Sequence, residues 1–206
     1  MFISNSPRFI FVHTPKTAGS TIHIHFKDYF GMVGYQRLDP ESNIHHMSMD
    51  RMLTEIPDFF SYFSFMFVRD PISRFVSAYS EFKTAQHRKN HHLNILKYSD
   101  INAFVSDFLS SEWQNDVHFI PQHNFSHSTP LTDHLPKVSF IGKYENLSND
   151  VSHIFQRIQL SPPSLSIKHR ETPRDPATMT LNDSSLNILF RFYHLDYFLF
   201  NYKKTY

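Results

Sequence analysis

Residues 8–31 read RFIFVHTPKTAGSTIHIHFKDYFG, and this stretch decides the fold. Phe9 to His13 is a short apolar run of aromatic and β-branched residues, the pattern of a buried parallel strand. Thr14 to Thr21 follows as a tight polar turn of small residues. Ile22, Phe26, Tyr29 and Phe30 then recur at i, i+4, i+7 and i+8, so the period switches to that of a helix. Gly31 reads as its C-cap. A strand, a small-residue turn and a helix N-terminus make an anion site. The first N–H groups of a helix lack partners in the chain, and the helix dipole favours negative charge there. Gly19 admits a phosphate close to the backbone, Lys16 adds a positive charge, and Ser20 and Thr21 add hydroxyls. The lysine precedes the glycine, unlike the GxxxxGK[ST] loop of nucleotide triphosphatases. That order argues against a magnesium-nucleotide enzyme.

The totals bound the problem. The chain has 206 residues, enough for one domain with a real core. The expectation is a single domain over 1–206. Twenty-two phenylalanines and ten tyrosines predict an aromatic interior. A net charge of +1 gives no global basic field, so nucleic acid is not an expected partner and any anion site is local. With no cysteine, disulfides and thiolate metal sites are excluded. No signal peptide and no bilayer-length apolar run is legible, which points to a soluble or cytoplasmic protein or a trimmed catalytic domain. Oligomeric state is not legible.

Further along, Met49, Met52, Leu53 and Ile56 mark a short helix with Ser48 as its cap and Pro57 as its stop. Phe63 to Val68 is a second strand. It runs into Asp70, a good N-cap, and Pro71, a good first helical residue. Ile72, Phe75, Val76, Tyr79 and Phe82 form that helix's apolar stripe. Residues 84–98 read as a solvated loop or fraying end. Ile101 to Leu109 is a helix capped from Ser99 or Asp100. Residues 111–136 are loop-like. Val138 to Gly142 is a third strand, followed by a helix over Leu147 to Ile158 that Ser161-Pro162-Pro163 stops. Residues 164–180 read as a proline-punctuated loop, and Leu186 to Tyr197 as the last helix. Strands separated by helices predict a parallel sheet covered on both faces, with ligands beyond the carboxyl ends of the strands. Lys16 and Arg69 both follow strands, so they are expected on one edge of the sheet.

The second motif is Phe67-Val68-Arg69-Asp70-Pro71-Ile72-Ser73-Arg74-Phe75-Val76-Ser77-Ala78-Tyr79. Arg69 leaves a strand just before a helix begins. Ser77 sits two turns into that helix, away from the apolar stripe and with Ser73 and Arg74, at about 100° per residue. A planar guanidinium fork and a hydroxyl suit a phosphate monoester.

Together these motifs resemble the sulfotransferases that use 3′-phosphoadenosine 5′-phosphosulfate (PAPS), in particular the carbohydrate branch of heparan and chondroitin type. The first is similar to the family's 5′-phosphosulfate loop, the second to its 3′-phosphate motif. Phe140-Ile141-Gly142-Lys143-Tyr144-Glu145-Asn146-Leu147 resembles a strand-to-helix junction of the family, and Pro121-Gln122 a pair in a substrate-side loop. Phe200-Asn201-Tyr202 is similar to the closing Phe-Gly-Tyr. The resemblance implies a fold like the P-loop kinases and PAPS as sulfuryl donor. It assigns Lys16, Thr17, Ala18, Gly19, Ser20 and Thr21 to the 5′-phosphosulfate, and Arg69 and Ser77 to the 3′-phosphate. Lys168 and Arg170 stand where relatives carry a basic loop closing over the nucleotide, and read either as further phosphate contacts or as a solvated loop.

Sulfuryl transfer needs stabilisation of charge on the leaving phosphate and a base for the acceptor hydroxyl. Lys16 is the expected charge stabiliser. His46, just before a helix start where the dipole favours neutral imidazole, is the expected base, with His45 as the alternative. Glu55 and Glu145 are weaker base candidates. His123 and His127 stand four apart but read as surface histidines, and no metal is expected. The expected acceptor is a hydroxyl on a glycan; a tyrosine, a lipid or a small alcohol is the alternative, as is adenosine 3′,5′-bisphosphate binding without turnover.

Overall fold

The computed structural model describes residues 1–30, 35–36, 46–84, 93–132, 134–161 and 179–205. Its strands are β1 (Phe2–Asn5), β2 (Arg8–Val12), β3 (Tyr35–Gln36), β4 (Phe63–Val68) and β5 (Phe140–Lys143). Its α-helices are α1 (Gly19–Phe30), α2 (Met49–Glu55), α3 (Pro71–Thr84), α4 (Ile101–Phe108), α5 (Leu147–Arg157), α6 (Asp183–Phe192) and α7 (His194–Leu199). The chain divides into two compact units, 1–69 with 122–169 and 70–121 with 170–206.

The first unit carries the sheet, in the order β3-β1-β2-β4-β5. The strands expected from the apolar runs, β2, β4 and β5, are parallel, with Val12 beside Met66 and Val68 beside Lys143. The sheet as a whole is mixed rather than parallel. β1 pairs antiparallel with β2, Asn5 opposite Arg8, and β3 pairs antiparallel with β1. The β1–β2 connection is the two residues Ser6-Pro7, too short for the helix that a parallel pair would require.

Alternation along the strands sorts the core. Phe9, Phe11, Phe65 and Phe67 share one face with Ile22 and Phe26 of α1 and Leu147, Val151, Ile154 and Phe155 of α5. Phe26 is the hinge of the packing, its ring centroid 5.7 Å from that of Phe65 and 4.9 Å from that of Phe155. Ile10, Val12, Met66 and Val68, on the opposite face, are equally buried. With both faces covered, the parallel strands tolerate no polar alternation, and only Ser64 breaks the run in β4.

The second unit is helical. Phe75 and Tyr79 of α3, Phe104 and Phe108 of α4, Trp113, Phe119 and Leu189 of α6 form one cluster. Asp70 caps α3 as expected, accepting from Ser73 N at 2.7 Å. Asp100 caps α4, accepting from Asn102 N at 2.8 Å and Ala103 N at 2.9 Å. These backbone bonds hold the Asp100 carboxyl below its ordinary value. Three expectations change. The last helix is two, α6 and α7, divided at Tyr193, whose hydroxyl donates to Phe119 O at 2.5 Å. Arg74, from the polar side of α3, is fully buried, and its Nη1 donates to Ile120 O at 2.9 Å. The α5 helix ends at Arg157 on a positive-φ residue, Gln159, before the prolines begin.

Candidate functional site

The loop between β2 and α1 is held from within. Thr17 Oγ1 donates to Thr14 O at 2.9 Å, and both residues are fully buried. Lys16 and Ala18 adopt positive φ, 68° and 69°. Non-glycine residues enter this region at a cost, and they gather where function requires it. Left-handed backbone alternating with right-handed backbone is the geometry that can turn successive N–H groups toward an anion. α1 opens immediately afterwards, with Ile22 N donating to Ala18 O at 3.0 Å and no acidic residue in its first turn. Ser20 and Thr21 stand at that N-terminus, Ser20 exposed. Thr14 Oγ1 is buried and has no hydrogen-bond partner among the described residues, an orphan acceptor and donor beneath the loop.

Gly19 is fixed by space. A Cβ there would lie 1.7 Å from His13 Nε2, so the His13 ring lies directly against the Gly19 backbone. The same ring stacks on Phe11 at 5.6 Å and meets the His46 ring at 4.5 Å. His46 Nδ1 lies 2.8 Å from His13 O. A carbonyl only accepts, so Nδ1 carries the proton. In the neutral ring that leaves Nε2 as the basic nitrogen, the form a proton acceptor needs.

Arg69 follows β4 as the loop follows β2. Its Nη1 lies 3.4 Å from Lys16 O, a long hydrogen bond, and its Cζ lies 4.3 Å from the centre of the Tyr144 ring. Arg69 and Tyr144 are each the first residue beyond the β4–β5 ladder, which is why they stack. Gln122, fully buried, holds the Arg69 backbone from both sides. Arg69 N donates to Gln122 Oε1 at 2.9 Å, and Gln122 Nε2 donates to Arg69 O at 2.8 Å.

The structure thus brings Lys16, Thr17, Ala18, Gly19, Arg69 and His46 into the first unit, and sets Lys16 and Arg69 on one sheet edge. Ser77 is buried on α3 in the second unit. His45, Lys168 and Arg170 lie outside the described residues. Glu55 pairs with Arg51 on the surface, and Glu145 is exposed. His127 is not a surface histidine: it is buried, with Nδ1 2.7 Å from Ser126 Oγ. The sequence pattern passed over His13, read only as the end of a strand, and Gln122's hold on Arg69, since both depend on tertiary approach.

The sulfotransferase family model matches residues 1–203, a range that includes the loop and Arg69. The chain belongs to the sulfotransferase family. Among curated sulfotransferases, it is similar to carbohydrate sulfotransferase 14 of Danio rerio, 24% identical over 236 aligned positions that cover 98% of this chain and 62% of the relative. It is 28% identical to carbohydrate sulfotransferase 9 of Homo sapiens over 69% of this chain and 38% of that protein. An uncharacterized protein of Archaeoglobus fulgidus is 31% identical over 53% of this chain and 78% of its own length. The chain therefore spans less than two thirds of the carbohydrate sulfotransferases it matches. No solved structure matches it significantly. No helix among the described residues is long and apolar enough to cross a membrane.

Proposed function

We propose that this chain moves the sulfuryl group of PAPS to an acceptor hydroxyl on a carbohydrate. The observation that carries the reading is the approach of Arg69 to Lys16: two anion-binding signatures, 53 residues apart, share one edge of a sheet. The sheet, with parallel β2, β4 and β5 and the loop at the carboxyl end of β2, supports a P-loop-kinase-like fold. Membership of the sulfotransferase family supports the donor.

The residues fit that donor. Lys16, Thr17, Ala18, Gly19, Ser20 and Thr21 hold its 5′-phosphosulfate through backbone N–H groups, two hydroxyls and one ammonium. The hydroxyl proton of Thr17 is committed to Thr14, so Thr17 contributes its backbone. The orphan Thr14 hydroxyl lies under the same loop. Arg69 takes the 3′-phosphate as a planar cation whose guanidinium face is covered by Tyr144. Ser77, Lys168 and Arg170 join the 3′-phosphate contacts on the strength of their motifs alone.

His46 acts as base. As the acceptor oxygen bonds to sulfur, its proton passes to His46 Nε2, and the bond from sulfur to the bridging phosphate oxygen breaks with its electrons on the phosphate. Lys16 and the α1 N-terminus stabilise that charge, which develops only on the way to the transition state. His45 remains the alternative base. No metal takes part in this scheme. Transfer of labelled sulfate from PAPS to a panel of glycans, tyrosine peptides and small alcohols tests the reading. Incorporation into glycans supports it, and incorporation elsewhere reassigns the acceptor.

A further inference from the structure

We infer that Gln122 is a positioning residue for donor recognition: its buried amide fixes the backbone of Arg69, so that the guanidinium meets the 3′-phosphate in one orientation. The inference rests on the reading of Arg69 as the 3′-phosphate contact. It moves the Pro121-Gln122 pair from the acceptor side, where its motif placed it, to the donor side.

Arg69 is one residue past the end of β4, and the β4–β5 register ends at Val68 opposite Lys143. Its N–H and C=O therefore fall beyond the ladder and need partners elsewhere. Gln122 supplies both with one planar amide, accepting from the N–H at 2.9 Å and donating to the carbonyl at 2.8 Å. The geometry is that of one further rung of a sheet, made by a side chain. Gln122 is fully buried, which leaves it no surface to offer an acceptor. Above this fixed backbone the guanidinium is limited on its flat side by Tyr144, 4.3 Å away, and at Nη1 by Lys16 O, 3.4 Å away. With backbone, face and one nitrogen restrained, little rotamer freedom remains to be lost when an anion binds.

Only an amide of this length satisfies both groups. Gln122→Leu keeps the volume and removes both bonds to the Arg69 backbone. Gln122→Glu keeps the shape and the acceptor but opposes a carboxylate oxygen to Arg69 O.

The test compares two nucleotides that differ only at the 3′ position, adenosine 3′,5′-bisphosphate and adenosine 5′-monophosphate, titrated calorimetrically into wild type, Gln122→Leu, Gln122→Glu and Arg69→Ala. Loss of the hold is expected to weaken the bisphosphate about 10-fold, equivalent to one or two net hydrogen bonds, and the 3′-unphosphorylated nucleotide less than about 2-fold. Gln122→Glu carries the test if Gln122→Leu does not fold. Equal weakening of both nucleotides, or of neither, in the Gln122 variants while Arg69→Ala loses the bisphosphate selectively overturns the inference. If Arg69→Ala itself shows no selectivity, the 3′-phosphate reading fails first and the inference with it.

Discussion

Arg69 Nη1 lies 3.4 Å from the carbonyl oxygen of Lys16, across 53 residues of chain. The contact is long and contributes little energy by itself. Its meaning is positional: the parallel pairing of β2 with β4 brings the residues that follow each strand to the same edge. An ammonium, a guanidinium and a helix N-terminus are thereby held within one unit.

Lys16→Ala is expected to reduce turnover with PAPS more than it weakens donor binding. The lysine opposes charge that appears on the leaving phosphate, and loss of one such electrostatic donor costs on the order of 10²–10³ in kcat. Steady-state kinetics with the donor varied measures the split. A rise in donor KM with unchanged kcat would make Lys16 a ground-state contact only.

His46→Asn is expected to lower turnover by about 10²–10⁴ while leaving adenosine 3′,5′-bisphosphate affinity intact. The wild-type rate should fall on acidification, because protonated imidazole accepts no proton, and the variant's residual rate should lose that acid limb. Asparagine retains a side-chain N–H toward His13 O, so a failure of folding is not the expected result. A wild-type rate that does not fall on acidification would exclude His46 as base.

Gly19→Ala should damage the site through His13. The new methyl would occupy the position of the His13 ring, and the ring cannot move without disturbing its contacts with Phe11 and His46. Overpacking of this kind costs about 1–3 kcal/mol. Denaturant unfolding and donor titration should both report the loss, whereas Ser20→Ala, exposed at the helix start, should change donor affinity without changing stability.

Asp100→Ala removes the cap of α4 and should cost about 1 kcal/mol at neutral pH. The folded-state pKa of Asp100 is lowered chiefly by the Ala103 N–H group and further by that of Asn102, so its contribution is present above the unfolded-state value. It is lost as pH falls through the folded-state value. Wild type and variant should therefore converge in stability in acid, in paired urea titrations at neutral and acidic pH. A constant gap across pH would mean that the carboxylate charge plays no part.

The sequence displayed those features in which local chemistry and tertiary packing agree. Phe63–Val68 followed by Asp70-Pro71 marks β4 and the start of α3 because apolar continuity, cap and φ constraint coincide at one boundary. β1 was not legible: Phe2-Ile3-Ser4-Asn5 is four residues with a single fully buried apolar side chain, and only pairing with β2 makes it a strand. The break at Tyr193 was hidden because Leu189, Tyr193 and Tyr197 keep helical spacing through it. For the candidate site, residue types and their order pointed to Lys16, Gly19 and Arg69. The roles of His13 and Gln122 depend on what folds against them. Arg74 likewise looked like a polar-face residue until the carbonyls of Val117 and Ile120 surrounded it.

The most direct measurement is a calorimetric titration with adenosine 3′,5′-bisphosphate of wild type, Lys16→Ala and Arg69→Ala. The account predicts stoichiometric binding to wild type and, since a bond to a charged group contributes about 1.5–3 kcal/mol, at least about 10-fold weaker binding to each variant. Binding that is absent from the wild type, or equally tight in all three proteins, would contradict it.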